Sequence, residues 1–241
     1  GDYFERYRIP WDWYTSGQID WIGQHSGDRQ PIQGSDIVVA SGGRYWNLKI
    51  LRSTNGGADW QIVEHDVENY LFIEFHPDDP NRVFAGDKIS YDAGATFSAV
   101  PFIESRDGQM IGMCEAQPDT IYALDGDLNS ILRSDDRGEN WYVYESTSWK
   151  YRKMDSLPSF AVDPNDPDVV YAIDSRGDLA KFDGSTWTSL GVLDEAGTAH
   201  RNYVRAVAVD PSDSNIIYAQ MAAPGTETIW RTTDGGASWT N

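Results

Sequence analysis

An eight-residue pattern recurs along the chain and constrains the fold more than any other feature. We call it the box: Ser/Thr, any residue, Asp/Asn, any residue, Gly, any residue, a mostly short polar residue, and an aromatic residue. The four copies are residues 53–60, 90–97, 134–141 and 232–239, and a shorter fifth copy covers residues 183–187. Repetition at a spacing of about 40 residues is typical of solenoids, propellers and other arrays.

A second repeated segment, a β-rich triplet that ends in Ala, lies before each box. The copies are residues 38–40, 83–85, 121–123, 170–172 and 217–219. Segments rich in Asp and Pro precede three of the triplets. They predict turns, because Pro presets φ and the Asp side chain bonds its own backbone. Each repeat therefore predicts an inner apolar strand, the triplet strand, a third strand after a variable hairpin, and a fourth strand after the box. Four-stranded units at this period are typical of propeller blades.

We predict an all-β fold, a β-propeller of four-stranded antiparallel blades, five of which are visible. The blades fall at about residues 17–66, 67–103, 106–148, 157–193 and 203–241, after a lead-in or closing strand at 1–16. No linker separates them, so we predict a single domain over residues 1–241. Five blades suffice to close a ring. The last repeat holds little of a fourth strand and the chain lacks an initial Met, so a part of a larger ring is the alternative.

The residue types of the box suit a tight hairpin rather than catalysis. Gly tolerates the positive φ that such a turn needs, and the Asp/Asn side chain accepts bonds from backbone N–H groups. The Ser/Thr hydroxyl adds a further hydrogen bond, and the closing aromatic buries a large area between blades. These properties predict a structural role for Asp92, Asp136 and Asp234.

The box resembles the Asp-box, or bacterial neuraminidase repeat. This repeat occurs in sialidases, in xyloglucan-cleaving glycoside hydrolases of the tandem-propeller type, and in sortilin-like receptor domains. The Asp/Pro turns before the triplets are most similar to the last two groups. The resemblance runs from about residue 17 onward and implies a propeller whose boxes lie on the face away from the active site.

Strand direction predicts where a ligand site lies. In a four-stranded antiparallel blade the first turn and the box share one end, and the hairpin between strands two and three shares the other end with the crossing to the next blade. Loops on that second end are where propellers usually bind ligands. Aromatic and cationic residues there predict a sugar-stacking surface, and the alternative is that the aromatics only cover blade edges: Arg44, Tyr45, Trp46, Trp149, Tyr151, Arg152, His200 and Arg201.

Carboxylates on the same end are the candidates for glycosidase chemistry, which needs a pair roughly 5–10 Å apart. They are Glu104, Asp107, Asp194 and Glu195, and no pair among them stands out. Arg8, in the sequence Tyr-Arg-Ile-Pro, is similar to the sialidase arginine that binds the substrate carboxylate. The alternative for Arg8 is a strand or turn that enters the first blade.

Metal and cofactor motifs are weak. The four histidines are scattered without metal-ligand spacing. The residues Asp125, Asp127 and Asn129 resemble the start of a calcium loop, but Ser130 stands where the Gly belongs and no Glu closes the loop. We predict no cofactor, with bound Ca²⁺ at these three residues as the alternative.

Charge limits the partners of the chain. With 38 acidic and 19 basic residues the net charge is −19, which excludes binding through nucleic acid phosphates. This charge fits an extracellular or cell-surface protein. Cys114 is the only cysteine and lies in an apolar run, which predicts a buried thiol. No apolar stretch is long enough to span a membrane.

Two functions follow from these features. The sequence favours a non-catalytic module of the cell surface or extracellular space that binds a glycan or a protein, or that serves as a structural component of a larger assembly. The alternative is a glycoside hydrolase of the Asp-box kind, or a fragment of one, that acts on a polysaccharide or sialoglycan.

Overall fold

The computed structural model confirms the predicted fold class. It describes residues 22–44, 47–67, 73–100, 109–124, 130–146, 160–173, 177–191, 203–223 and 226–241. Within these ranges every regular element is a β-strand, and the strands form five antiparallel sheets. In each sheet the strand order follows the chain, which is the order of a propeller blade.

The chain divides into two compact units, and the first comprises residues 1–110. Sheet one consists of β1 (Ile22–Arg29), β2 (Val38–Arg44), β3 (Asn47–Ser53) and β4 (Gln61–Val67). Sheet two consists of β5 (Ile73–His76), β6 (Asp79–Ala85), β7 (Lys88–Ser90) and β8 (Ser98–Ala99).

The second unit comprises residues 111–241. Sheet three consists of β9 (Gln109–Cys114), β10 (Gln117–Leu124), β11 (Ser130–Ser134) and β12 (Tyr142–Ser146). Sheet four consists of β13 (Phe160–Val162), β14 (Val170–Ile173), β15 (Leu179–Phe182) and β16 (Trp187–Ser189). Sheet five has β17 (Tyr203–Asp210), β18 (Asp213–Ala223) and β19 (Thr226–Thr232). That the chain forms one domain stays a prediction.

The core of the second unit lies between consecutive sheets. All four residues of β14 are buried, and successive side chains of a strand point to opposite faces. Val170 and Ala172 therefore pack with residues of sheet three, while Tyr171 and Ile173 pack with residues of sheet five. A strand covered on both faces reads as a continuous apolar run, which explains the Val-Tyr-Ala composition of the triplet.

In the first unit one cluster also joins two sheets. Val39 and Ile50 of sheet one pack with Phe75 and Val83 of sheet two, and all four are buried. Phe97, the closing aromatic of the second box, packs against this cluster.

The box and the first turn of each repeat lie at the same end of their sheet. In four sheets the fourth residue of the box donates its backbone N–H to a carbonyl at or just before the start of strand two, next to the first turn, at 2.8 to 3.0 Å. The bonds run from Gly56 to Asp36, from Ala93 to Asn81, from Arg137 to Asp119 and from Gly235 to Asn215. The hairpin between strands two and three must then lie at the opposite end.

The Cys114 prediction is also confirmed, since its thiol is buried and lies 3.4 Å from the carbonyl oxygen of Asp163. Burial raises the pKa of this thiol. In the part of the chain that the structure describes, no helix has the length and apolar character needed to cross a bilayer.

Candidate functional site

Each box is closed by its own polar side chains. In the third box the Ser134 hydroxyl accepts the backbone N–H of Gly138 at 2.9 Å and donates to Oδ1 of Asp136 at 2.8 Å. Asp136 also accepts the backbone N–H of Asn140 through Oδ1 at 2.8 Å and its side-chain amide through Oδ2 at 2.7 Å. The Trp141 indole N–H donates to the carbonyl of Gly138 at 3.0 Å.

These hydrogen bonds favour the ionised form of the box carboxylates. Burial opposes the charge of Asp136, but the bonds from Asn140 and Ser134 outweigh it, and the pKa falls below its usual value. In the fifth repeat the hydroxyls of Ser238 and Thr232, followed by the Ser238 backbone N–H, lower the pKa of Asp234 to about 2. A carboxylate so stabilised is a poor proton donor or acceptor near neutral pH, because catalytic acids and bases need a pKa near the working pH.

The glycine of the box has a packing role as well as a conformational one. Gly94 has a φ of +79°, and a Cβ added there would lie 2.5 Å from Cγ2 of Val39 in sheet one. Gly236 has a φ of +98°, and a Cβ added there would lie 2.9 Å from Cδ2 of Leu190, which directly follows β16 of sheet four. The box therefore packs tightly against the preceding sheet in both units.

Among the described residues, the hairpins at the opposite end differ in the number of residue pairs. Measured from the triplet's first residue, strands two and three pair over three residues in sheet two and over four in sheets three and four. In sheet one they pair over seven, from Val38 with Ser53 to Arg44 with Asn47. In sheet five they also pair over seven, from Ile217 with Thr232 to Ala223 with Thr226. Three further pairs extend a hairpin by about 10 Å.

The predicted ligand residues are positioned only in part. Arg44 ends β2, and its backbone forms the last pair of the long hairpin of sheet one with Asn47, the first residue of β3. In the sequence, Tyr45 and Trp46 lie between these two residues. Tyr45 and Trp46 themselves, and the side chain of Arg44, lie outside the described residues. So do the remaining five ligand candidates: Trp149, Tyr151, Arg152, His200 and Arg201.

The other candidates also lie outside the described residues and stay predictions. They are the carboxylates Glu104, Asp107, Asp194 and Glu195, the calcium candidates Asp125, Asp127 and Asn129, and Arg8. Among the residues that the structure does describe, no three His, Cys, Asp or Glu side chains are grouped as a metal site requires.

One polar cluster was missed by the sequence analysis. Arg133, the residue before the third box, is buried and donates through Nε to Oδ1 of Asp135 at 2.7 Å. Its Nη1 donates to Oδ1 of Asp168 and, at 3.2 Å, to the carbonyl of Pro167, both in the first turn of sheet four. The guanidinium also lies 5.0 Å from the ring centroid of Tyr144.

A signal for this cluster was present in the sequence. Arg precedes the box in three repeats, as Arg52, Arg133 and Arg231. In the first repeat Arg52 likewise crosses to the next sheet, where its Nε donates to the carbonyl of Ala93 at 2.8 Å. An arginine before the box thus bonds the following sheet in both cases.

Comparison with known proteins places these features in context. No family model matches the chain. A xyloglucanase of Paenibacillus sp is 28% identical over 139 residues, which is 52% of this chain and 13% of that protein. A xyloglucanase of Hypocrea jecorina is 31% identical over 110 residues, or 40% of this chain and 13% of that protein. A xyloglucanase of Acetivibrio thermocellus is 28% identical over 155 residues, or 51% of this chain and 18% of that protein.

Solved structures resemble more of the chain. The GH74 xyloglucanase from Xanthomonas campestris has a TM-score of 0.67 and 18% identity, and the match covers 90% of this chain and 38% of that one. An ancestral GH74 enzyme has a TM-score of 0.66 and 19% identity, with 93% of this chain and 31% of that one covered.

At these identities the structural likeness shows the fold alone. The fold and the sheet geometry together define a β-propeller. The chain spans between 13% and 18% of the length of the curated relatives that it matches.

Proposed function

We propose that this chain is a propeller portion of a glycoside hydrolase of the xyloglucanase type, and that it binds glycan at the sheet ends opposite the boxes. The observation that carries the proposal is the sequence similarity to three xyloglucanases, 28% to 31% identical over 110 to 155 residues. This favours the alternative drawn from the sequence over the non-catalytic module.

The geometry of the boxes supports this assignment of ends. The four full boxes share their hydrogen bonds from the Ser/Thr hydroxyl to the Asp/Asn side chain and from the glycine N–H to that hydroxyl. This common geometry fits the Asp-box family. Their carboxylates are engaged within the box, so the carboxylates of the opposite end remain the candidates for acid and base catalysis: Glu104, Asp107, Asp194 and Glu195.

The substrate-binding surface would include the long hairpin of sheet one. Arg44 ends β2 of this hairpin, and Tyr45 and Trp46 follow it in the sequence. Aromatic rings such as these stack on the apolar faces of sugar rings. The other ligand candidates lie in the sequence between β12 and β13 (Trp149, Tyr151 and Arg152) and between β16 and β17 (His200 and Arg201).

The surroundings of the protein are part of the proposal. The net charge of −19 suits an extracellular or surface protein, and we propose that location. We propose no nucleic acid partner and no cofactor, with bound Ca²⁺ at Asp125, Asp127 and Asn129 as the alternative.

Binding is tested with a glycan panel. Xyloglucan oligosaccharides are titrated against the chain by calorimetry, with cello-oligosaccharides and sialyllactose as comparison ligands. Trp46→Ala is expected to weaken xyloglucan binding by roughly tenfold or more, which corresponds to the loss of one stacked ring. Tyr91→Ala is the matched control, because it removes a half-exposed aromatic at the box end.

Turnover is measured on the same panel as release of reducing ends. Loss of release with retained binding in Glu104→Gln, Asp107→Asn, Asp194→Asn or Glu195→Gln supports the hydrolase. Binding without release in the wild-type chain supports the second candidate, a non-catalytic glycan-binding module. Neither binding nor release would contradict both and favour a protein-binding scaffold.

A further inference from the structure

The tyrosine of the triplet and the cation before the box occupy equivalent positions in three sheets. The pairs are Tyr122 with Arg133 in sheet three, Tyr171 with Lys181 in sheet four, and Tyr218 with Arg231 in sheet five. In each pair the cation lies over the ring, at 5.7, 5.9 and 5.9 Å from its centroid. The three sheets therefore present the same row of side chains on the same face.

This face is covered in sheets three and four. Tyr122 is 0% exposed and packs with Phe160 and Val170 of sheet four. Tyr171 is 1% exposed and packs with Val204 and Ile217 of sheet five. In both sheets the following sheet covers the tyrosine.

The same face is exposed in sheet five. We define its outer face by Ala208, Tyr218, Ile229 and Arg231, since Ala208, Tyr218 and Arg231 form one row of paired residues. Tyr218 is 37% exposed and Ile229 is 68% exposed. The residues at the register position of Ile229 in sheets three and four, Ile131 and Leu179, are buried.

The charge on this face indicates what it fits. Arg133 donates to the Pro167 carbonyl and the Asp168 carboxylate in the first turn of the next sheet. Arg231 presents the same donors at the same register position beside the same ring. The outer face of sheet five is therefore complementary to another sheet of the same kind. The first turn of that sheet offers an oxygen acceptor to Arg231, and its apolar strands pack on Tyr218 and Ile229.

We propose that the outer face of sheet five is an interblade surface, and that its partner is a further four-stranded sheet of the same repeat. The first turn of that sheet places a carbonyl or carboxylate oxygen against Arg231. Its apolar strands cover Tyr218 and Ile229. This surface is independent of the glycan-binding ends proposed above, because it is a sheet face and not a sheet end.

The proposal is tested by giving the face such a sheet. The extended protein keeps residues 1–239 and adds a second copy of residues 188–241. Trp239 then continues into the strand that follows Trp187 in the fourth repeat. In the added copy the residue that corresponds to Tyr218 is changed to Phe, so that peptide mapping after nitration by tetranitromethane reports the original tyrosine alone. Tyr142, which is exposed on β12, is the internal control.

We expect nitration of Tyr218 to slow by about tenfold or more in the extended protein, since the reagent then needs a local opening, while Tyr142 is unchanged. Arg231→Met in the extended protein should restore part of the reactivity. Equal nitration of Tyr218 in both proteins would overturn the proposal. Unprotected backbone amides throughout the added repeat, measured by hydrogen exchange, would also overturn it. An interblade surface should hold the added repeat in a folded state.

A second copy of the unextended chain is the competing occupant. Sedimentation of the 241-residue chain distinguishes it. A dimer in which Tyr218 is protected from nitration would assign the face to self-association and overturn the proposal. A monomer with a reactive Tyr218 is the expected result.

Discussion

Arg133 and Arg231 show how the surroundings of one residue type decide its contribution. Both stand before a box and beside the tyrosine of the triplet. Arg133 is buried and bonds Asp135 and Asp168, whereas Arg231 is exposed. A buried guanidinium with several acceptors joins two sheets, and an exposed one contributes little to stability.

This difference predicts unequal effects of the same substitution. Arg133→Met should lower the free energy of unfolding by about 2 kcal/mol, because the carboxylates of Asp135 and Asp168 lose their partner. The loss is no larger because both carboxylates are half exposed and are hydrated in the variant. Arg231→Met is the matched control and should change it by less than about 0.5 kcal/mol. Urea unfolding followed by tryptophan fluorescence measures both. Equal losses would contradict the role of Arg133 between the sheets.

The box carboxylates predict a dependence of stability on acid pH. The pKa of Asp234 is about 2 in the folded chain, below the 3.8 that is usual for an aspartate. Because the folded value is the lower one, the stabilisation is present above about pH 4 and is lost as the pH falls toward 2. Asp234→Asn keeps the shape of the side chain, and the first box has Asn55 at this position.

We therefore expect Asp234→Asn to be less stable than the wild type at pH 7 and the difference to shrink between pH 4 and pH 2. Urea unfolding at pH 7, 4 and 2 measures it. A difference that stays constant over this range would show that the charge of Asp234 does not contribute.

At the scale of the elements, the close approach of each box to the preceding sheet fixes how two sheets pack. Gly94 and Gly34 have the same φ of +79°, but only Gly94 has a neighbour within the reach of a Cβ. An alanine would therefore be strained in its backbone at both positions, but it would overlap with Val39 only at position 94.

Gly94→Ala should cost about 3 kcal/mol, of which about 1 kcal/mol is the left-handed backbone and the rest overpacking against Val39. Gly34→Ala should cost only about 1 kcal/mol. Combination with Val39→Ala should reduce the penalty at Gly94, as expected for residues in contact. Thermal unfolding of the four variants tests this, and equal costs at Gly94 and Gly34 would refute the packing role.

The strands were largely predictable because their signals are local. Gly in the box and Asp or Pro in the turns determine the backbone conformation within a few residues, and the apolar triplets predict the buried strands. The partners of Arg133 could not be predicted in the same way, because Asp168 lies in the next repeat and meets Arg133 only when two sheets pack. The seven-residue pairing at Arg44 was also not predicted, since Gly42 and Gly43 give no strong strand signal. The ligand-binding role of the loop residues stays a prediction, because their side chains lie outside the described residues.

At the scale of the whole molecule, the net charge of −19 opposes folding through self-repulsion. Salt screens this repulsion, with a Debye length of about 8 Å at 0.15 M. We therefore expect the temperature of unfolding to rise when NaCl increases from about 10 mM to about 150 mM. Choline chloride at equal ionic strength is the control and should give the same rise. A lower unfolding temperature in salt would mean that attractive pairs outweigh the repulsion.

The long hairpins of sheets one and five show how this kind of repeat can diversify. Their seven pairs run without a bulge from the box end to the tip, so the register is set where the box meets the first turn. A hairpin that gains one residue on each strand keeps every earlier pair in place, whereas an insertion in one strand alone would turn side chains to the other face. Evolution can thus lengthen these hairpins in steps of two residues, one on each strand, and so change the surface at their tips. The packing between the sheets stays the same.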